Sequence, residues 1–316
     1  MGIRGLGGFI KWKTPHARKS LNLMTPAFAG QRWGVDCSCL LYRARGSNLS
    51  ATTVIASLLV RLRRAKITPI FIFDGKPPAA KADVIDQRRE QRQAVQKEMA
   101  EIKAGLEDET LSVTEKATME HRHAALQKKA PTVSANDKDE IKRLLHAAGV
   151  QFITATGEAD DVLAFICRSG IIQGVISTDM DMLARGIPLM VIPETPDTSV
   201  LTEIRLDRVL AGVGLTYPQF VTACMLMGSD YSGKDWISVD PKEAMIRAKR
   251  GDCLPSEMQE GMALLTGTGI LWEEIVGEKQ REKWDAGLKP CEPDALRIFA
   301  SAGGWPVEWV NVLTSL

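Results

Sequence analysis

For most of the first 230 residues, short runs of apolar side chains alternate with stretches in which apolar positions recur every three or four residues. The first pattern predicts buried strands and the second amphipathic helices. Strands are predicted over 32–35, 67–73, 150–154, 171–177 and 187–192. The run Ile67-Thr68-Pro69-Ile70-Phe71-Ile72-Phe73 is apolar on both faces after its proline. Helices are predicted over 50–66, 137–148, 158–169 and 216–227. The first carries Val54, Ile55, Leu58, Leu59 and Leu62 on one stripe. The second turns Ile141, Leu144, Leu145 and Ala148 inward and is closed by Gly149. The last has Pro218 in its first turn. Strand–helix alternation of this kind predicts an α/β fold, a central and mostly parallel sheet with helices on both faces.

Residues 76–129 break the rhythm, with 11 Lys/Arg and 10 Asp/Glu. A helix polar all round stands off a core, so this segment reads as an insertion. Its charges are segregated: Lys81, Arg88, Arg89 and Arg92 lie at its N-terminal end, and Glu107-Asp108-Glu109 midway. His121 and His123 sit in the same charged stretch and read as a solvated helix face. After Ser232 the apolar pattern shortens and a smaller helical region is expected. The expected organisation is a core over 1–232 and a C-terminal region over 233–316. Trp305, Trp309 and Val312 share a helical spacing and are expected to pack on the core.

Composition narrows the classes. Hydrophobic residues make up 45% and charged residues 25%, as in an ordinary globular chain. The formal charge is +1, so a nucleic-acid surface would need local segregation of charge. No run reaches the ~18 apolar residues of a membrane span. The start, MGIRGLGGFIKWK, is too broken by glycine and charge for a signal peptide, and Leu6 defeats the myristoylation pattern. Six cysteines without a CxxC pair read as reduced thiols, most of them in the core, in an intracellular compartment. A zinc site is not expected.

The informative feature is where the acids fall. Asp36 follows the first predicted strand and Asp74 the second. Glu158, Asp160 and Asp161 follow the third, and Asp179 and Asp181 the fourth. Singly, Asp36 and Asp179 read as helix N-caps, Asp74-Gly75 as a turn, and Glu158 and Asp160 as acids favoured by a helix dipole. If the strands are parallel, however, their C-terminal edges lie side by side, where open α/β sheets bind ligands. At least six carboxyl groups then share one small volume. Such crowding keeps some of them protonated unless cations neutralise it. Oxygen donors without histidine or thiolate select Mg²⁺ or Mn²⁺ over zinc. Two such ions about 4 Å apart suit in-line displacement at phosphorus.

MGIRGL, VDCSCLLYRA, FIFDGKPP, GEADDVLAF, STDMDMLARG and MGSDYSG stand in order over residues 1 to about 233. In these runs the chain resembles the flap endonuclease family of structure-specific 5′ nucleases. The resemblance implies a PIN-like nuclease core, an inserted helical arch over 76–129 and a two-metal site of seven acids. Asp36, Asp74, Glu158 and Asp160 resemble the first group of ligands, and Asp179, Asp181 and Asp230 the second. Asp160 replaces the family's usual Glu and is one methylene shorter, which leaves a contribution from Asp161 open. Lys81 and Arg88, at the base of the arch, are implied to contact the scissile phosphate. Tyr42 is implied to stack on the base beside the cut, and Gly2 to lie near the DNA junction after loss of Met1.

Two departures qualify the resemblance. The family's glycine-rich turn, which opens a duplex-holding helix–two-turn–helix beside K⁺, is here Ile237-Ser238-Val239-Asp240-Pro241-Lys242. Both glycines are missing and Asp240 adds negative charge, so K⁺ is not expected at this degenerate motif. Lys242, Arg247, Lys249 and Arg250 read either as phosphate contacts or as a solvated basic face. The family's C-terminal sliding-clamp motif is not visible.

The reading is a 5′ nuclease using two Mg²⁺, with Mn²⁺ as substitute, on branched or 5′-flapped DNA in replication, repair or recombination. It is expected to be a monomer without a membrane partner, in the nucleus or another site of DNA replication such as a viral factory. A 5′→3′ exonuclease of the same superfamily, a silent DNA-binding scaffold and a related RNase are the alternatives.

Overall fold

The computed structural model describes residues 2–78, 81–107, 112–232, 236–285 and 290–315. Its centre is a seven-stranded sheet in the order β1-β7-β6-β5-β2-β3-β4. The strands are β1 (Arg18–Ser20), β2 (Arg32–Asp36), β3 (Thr68–Phe73), β4 (Phe152–Thr154), β5 (Gly174–Ile176), β6 (Leu189–Pro193) and β7 (Leu201–Arg205). All neighbouring pairs from β6 through β4 are parallel. β7 and β1 add an antiparallel edge.

The first helices are α1 (Leu6–Lys13), α2 (Cys37–Gly46), α3 (Ala51–Arg64), α4 (Ala82–Leu106), α5 (Val113–Lys129) and α6 (Ala135–Ala147). The middle of the chain gives α7 (Ala159–Arg168), α8 (Asp181–Ala184), α9 (Leu206–Val213) and α10 (Tyr217–Met227). The last third gives α11 (Pro241–Arg250), α12 (Ser256–Thr266), α13 (Trp272–Ile275), α14 (Glu278–Asp285), α15 (Pro293–Gly303) and α16 (Val307–Thr314).

The two-residue period of the strands splits the core in two. Ile70, Ile72, Val175, Met190 and Ile192 face one cluster, completed by α1, α7, α10 and the buried residues of α11–α13. Phe71, Phe73, Ile176, Leu189 and Val191 face the other, completed by α2, α3, α6, α15 and α16. The residues after 232 therefore divide between opposite faces of the sheet.

Three expectations need correction. Residues 171–177 yield only Gly174–Ile176 as strand. Ile171 and Ile172 instead leave the end of α7, their N–H groups donating to the Ile166 carbonyl, and pack on the first cluster. Trp305 lies outside α16, although it is buried against Phe299 and Trp309 as core packing requires. Two thiols, Cys37 and Cys224, are fully buried; Cys39, Cys167 and Cys291 are half-buried and Cys253 is exposed. The strands β1 and β7 had no apolar run to announce them. β1 is an edge strand, where polar and charged residues are tolerated, and β7, paired on both sides, carries Glu203 beside Arg205 and Arg208.

The polar insertion forms two helices packed on each other, α4 and α5. Arg122 of α5 reaches Glu98 of α4 at 2.7 Å. The capping box of Ser112 and Glu115 starts α5, and Leu126 near its end is buried. The hairpin thus rises from the mouth of the sheet's C-terminal edge, with Lys81 at its base.

Candidate active site

Each acid reaches the site for a local reason. Asp36 ends β2 and caps α2, accepting the Cys39 N–H and, at 2.8 Å, the Ser177 hydroxyl. Asp74 follows β3, accepting the Ala159 N–H at 2.9 Å and the Ser38 hydroxyl. Gly75 then passes so close to the next loop that a Cβ would stand 2.0 Å from the Ala155 carbonyl oxygen. Glu158, Asp160 and Asp161 open α7, where the helix dipole favours negative charge. Asp179 and Asp181 follow β5, and Asp230 follows α10.

Because β5, β2, β3 and β4 are adjacent and parallel, these acids converge. Asp36, Asp74, Glu158, Asp160, Asp179 and Asp230 line one cavity of about 600 Å³, together with Lys81 and Tyr42. Asp181 does not line it. Its side chain is buried behind Asp179 and accepts the Ile3 N–H at 2.8 Å. Gly2 is pressed against the same pair: its φ is +81° and a Cβ would stand 2.2 Å from an Asp179 oxygen.

Arg43 also lines the cavity, and among the described residues Lys81 and Arg185 reach these acids directly. Lys81, only 7% exposed, places Nζ 2.7 Å from Glu158 and 3.6 Å from Asp230, over the ring of Tyr231. The Tyr231 hydroxyl donates to Glu158. Arg185, on the turn after α8, is fully buried and reaches Asp161 at 2.6 Å. Asp161 faces Arg185 and is not among the residues lining the cavity. Sequence reasoning missed Arg185 and Tyr231. A signal for Arg185 was present: a lone charge in the apolar run Met182-Leu183-Ala184-Arg185-Gly186-Ile187 must be buried with a partner.

The electrostatics show a site short of positive charge. Burial, then repulsion by Asp74, pushes Asp36 up to about 7. Burial and Asp179 push Asp181 up to about 7 as well. Burial raises Asp160 well above the carboxylate range although Arg185 opposes it. Burial alone would lower Lys81, but Glu158, Tyr231 and Asp230 outweigh it and raise it. Among the described residues, no group of three His, Cys, Asp or Glu side chains is drawn together tightly enough to hold a metal ion. The donor chemistry nevertheless fits hard divalent ions, being all carboxylate oxygen, under-neutralised and facing an open cavity.

Of the other expected residues, Tyr42 and Arg92 line a second groove of about 900 Å³ at the base of the α4–α5 hairpin. This groove shares Tyr42, Asp74, Lys81 and Glu158 with the acidic cavity. Arg89 is exposed on α4, and the side chain of Arg88 lies outside the described residues. Lys242 is exposed on α11, and Arg247 pairs with Glu243 at 2.9 Å. Asp240 caps α11, accepting the N–H groups of Lys242 and Glu243.

The XPG N-terminal domain model matches residues 1–95 and the XPG I-region model residues 149–230. Together they take in more than half of the chain and every acid that lines the cavity. The chain belongs to the XPG family of N-terminal and I-region domains. Flap endonuclease 1 of Leishmania braziliensis is 31% identical over 256 residues, covering 74% of this chain and 61% of that protein. The chain spans about half to two-thirds of the length of the curated relatives it matches, from 52% of flap endonuclease 1 of Cryptosporidium muris to 68% of that of Ostreococcus lucimarinus. Among solved structures, flap endonuclease-1 from Methanococcus jannaschii superposes with a TM-score of 0.64 at 17% identity, over 99% of this chain and 98% of that one. The Holliday junction-resolving enzyme GEN1, solved with product DNA and Mg²⁺, gives 0.57 at 18% identity, over 99% and 77%. The likeness to these structures is one of fold.

Proposed function

We propose that this protein is a structure-specific 5′ nuclease that hydrolyses a phosphodiester bond in branched or 5′-flapped DNA with divalent metal ions. The observation that carries the reading is the convergence of six acids from four adjacent strand ends and the end of α10 on one cavity at the base of a two-helix arch. Asp36, Asp74, Glu158 and Asp160 would hold one ion; Asp179, Asp230 and, from behind, Asp181 would hold the second. Two Mg²⁺ held there, or Mn²⁺ in their place, would supply Lewis acidity for activating water and for steadying a leaving oxygen.

The chain's own groups do the rest. Lys81 stands where the acidic cavity meets the groove under the arch, since it lines both. Its ammonium is placed to offset charge on the phosphoryl oxygens as that charge develops, with Arg88 as its partner on α4. Tyr42, also shared by cavity and groove, offers a face for the base beside the cut. Arg89 and Arg92 guide the incoming strand through phosphate contacts, and Gly2, whose lack of a side chain lets the chain lie against Asp179 and Asp181, sits near the junction. Lys242 and Arg247 take the duplex backbone. The setting is a compartment that holds replicating or repaired DNA.

The deciding assay is cleavage of an end-labelled 5′-flap duplex. Mg²⁺ is expected to support cutting to a 5′-phosphate, and Ca²⁺ to support binding without cutting, since the larger ion tolerates looser geometry. Brisk turnover in Ca²⁺ or EDTA would refute metal-assisted hydrolysis. A uniformly labelled flap separates an endonuclease, which releases one intact flap, from an exonuclease, which yields a ladder of mononucleotides.

A second expectation concerns α11. The Asp240 carboxylate occupies the helix end where backbone N–H groups would otherwise receive a phosphate. Duplex affinity, followed by fluorescence anisotropy at constant ionic strength, is expected to be the same in K⁺ and Na⁺. A tenfold preference for K⁺ would contradict this.

A further inference from the structure

The pair Asp161–Arg185 lies against the acidic cavity without belonging to its lining. The Arg185 side chain has no exposed surface, and its Nε is buried without a hydrogen-bond partner. A guanidinium held this way cannot swing out to water, and an uncompensated buried charge costs several kcal/mol. It must therefore lean on a carboxylate. Three are within reach: Asp161 at 2.6 Å, Glu158 at 3.8 Å and Asp160 at 4.0 Å. The last two are acids of the proposed metal site, and Asp161 takes the close contact.

We propose that Asp161 is a positioning residue that occupies Arg185 and so keeps it off Glu158 and Asp160, leaving those two acids available to a divalent ion. Asp161 suits the task because it is the next residue after Asp160 on the first turn of α7 and points to Arg185, not into the cavity. Without its negative charge, the guanidinium keeps the Tyr231 hydroxyl at 3.5 Å but has only the two cavity acids to neutralise it. The movement required is about an ångström, the difference between a 2.6 Å contact and the present 3.8–4.0 Å separations. The pair thus sets which of three acids in one helical turn face the ion. Removing outer partners that orient metal ligands typically weakens metal binding about 10- to 100-fold.

The inference rests on the metal reading above, and the test separates the two. Mn²⁺ binding to the DNA-free protein is measured by the loss of its free-ion EPR signal, with thermal unfolding in EDTA as a folding control. Wild type is expected to bind Mn²⁺; if it does not, the metal reading fails and this inference with it. Asp161→Asn is expected to bind Mn²⁺ at least tenfold more weakly, whereas Asp161→Glu, which keeps the charge, stays within about threefold of wild type. The double variant Asp161→Asn/Arg185→Met removes both the displaced cation and its partner and is expected to recover the affinity. Wild-type affinity in Asp161→Asn, or no recovery in the double variant, overturns the proposal while leaving the metal site standing. If Asp161→Asn does not fold, Arg185→Met alone decides: Mn²⁺ binding as tight as wild type or tighter supports the proposal, and weaker binding overturns it.

Discussion

Asp179→Ala is expected to reduce flap cleavage by at least about 10³-fold while flap binding stays within roughly an order of magnitude. Asp179 lines the cavity directly. Removing a carboxylate there withdraws an ion's support at the charged transition state, an electrostatic effect worth several kcal/mol. DNA affinity rests instead on phosphate contacts spread over the basic side chains, so it is nearly spared. Asp181→Ala is expected to match it for cleavage and also to lose stability, because the Ile3 N–H gives up its buried acceptor. Single-turnover cleavage and anisotropy on the same flap check both halves. Wild-type cutting by the Asp179 variant would end the assignment.

The second large effect is on the metal-free protein itself. Asp36 is held at about 7, chiefly by burial and then by Asp74, against an unfolded value of 3.8. A folded-state value above the unfolded one means that the native state binds the proton more tightly. Its stability contribution is full below the unfolded value and is lost as pH rises through 7. Three pH units correspond to about 4 kcal/mol for an isolated group, shared here among interacting acids. In EDTA the protein is therefore expected to melt at lower temperature at pH 8 than at pH 5. Asp36→Asn is expected to raise Tm by several degrees at pH 8 and little at pH 5. Mg²⁺ is expected to stabilise wild type more than the variant. Calorimetry at the two pH values tests this; an Asp36→Asn variant that melts lower than wild type at pH 8 would contradict it.

The positions of the strands were legible because burial writes itself locally. Residues 67–73 need no distant information to be read as a strand, and β3 occupies Thr68–Phe73. The helix over 50–66 returns as α3, with its apolar stripe fully buried. Misreadings fall where burial and local pattern part company. Ile171 and Ile172 are apolar yet belong to a turn, and Leu201–Arg205 is half polar yet is a strand. Of the expected acids, the structure brings Asp36, Asp74, Glu158, Asp160, Asp179 and Asp230 into one cavity and sets Asp181 behind it.

The sequence alone determined the alternation of strands and helices and the placement of an acid after each of four strands, since both depend on neighbours in the chain. Parallel pairing then made the convergence of those acids a matter of geometry. Only the tertiary structure decided what stands among them. Lys81 lies 77 positions from Glu158, and Arg185 lies 24 from Asp161. No local periodicity encodes such contacts, because they arise when separate elements close on one desolvated space and each buried charge takes the nearest opposite one.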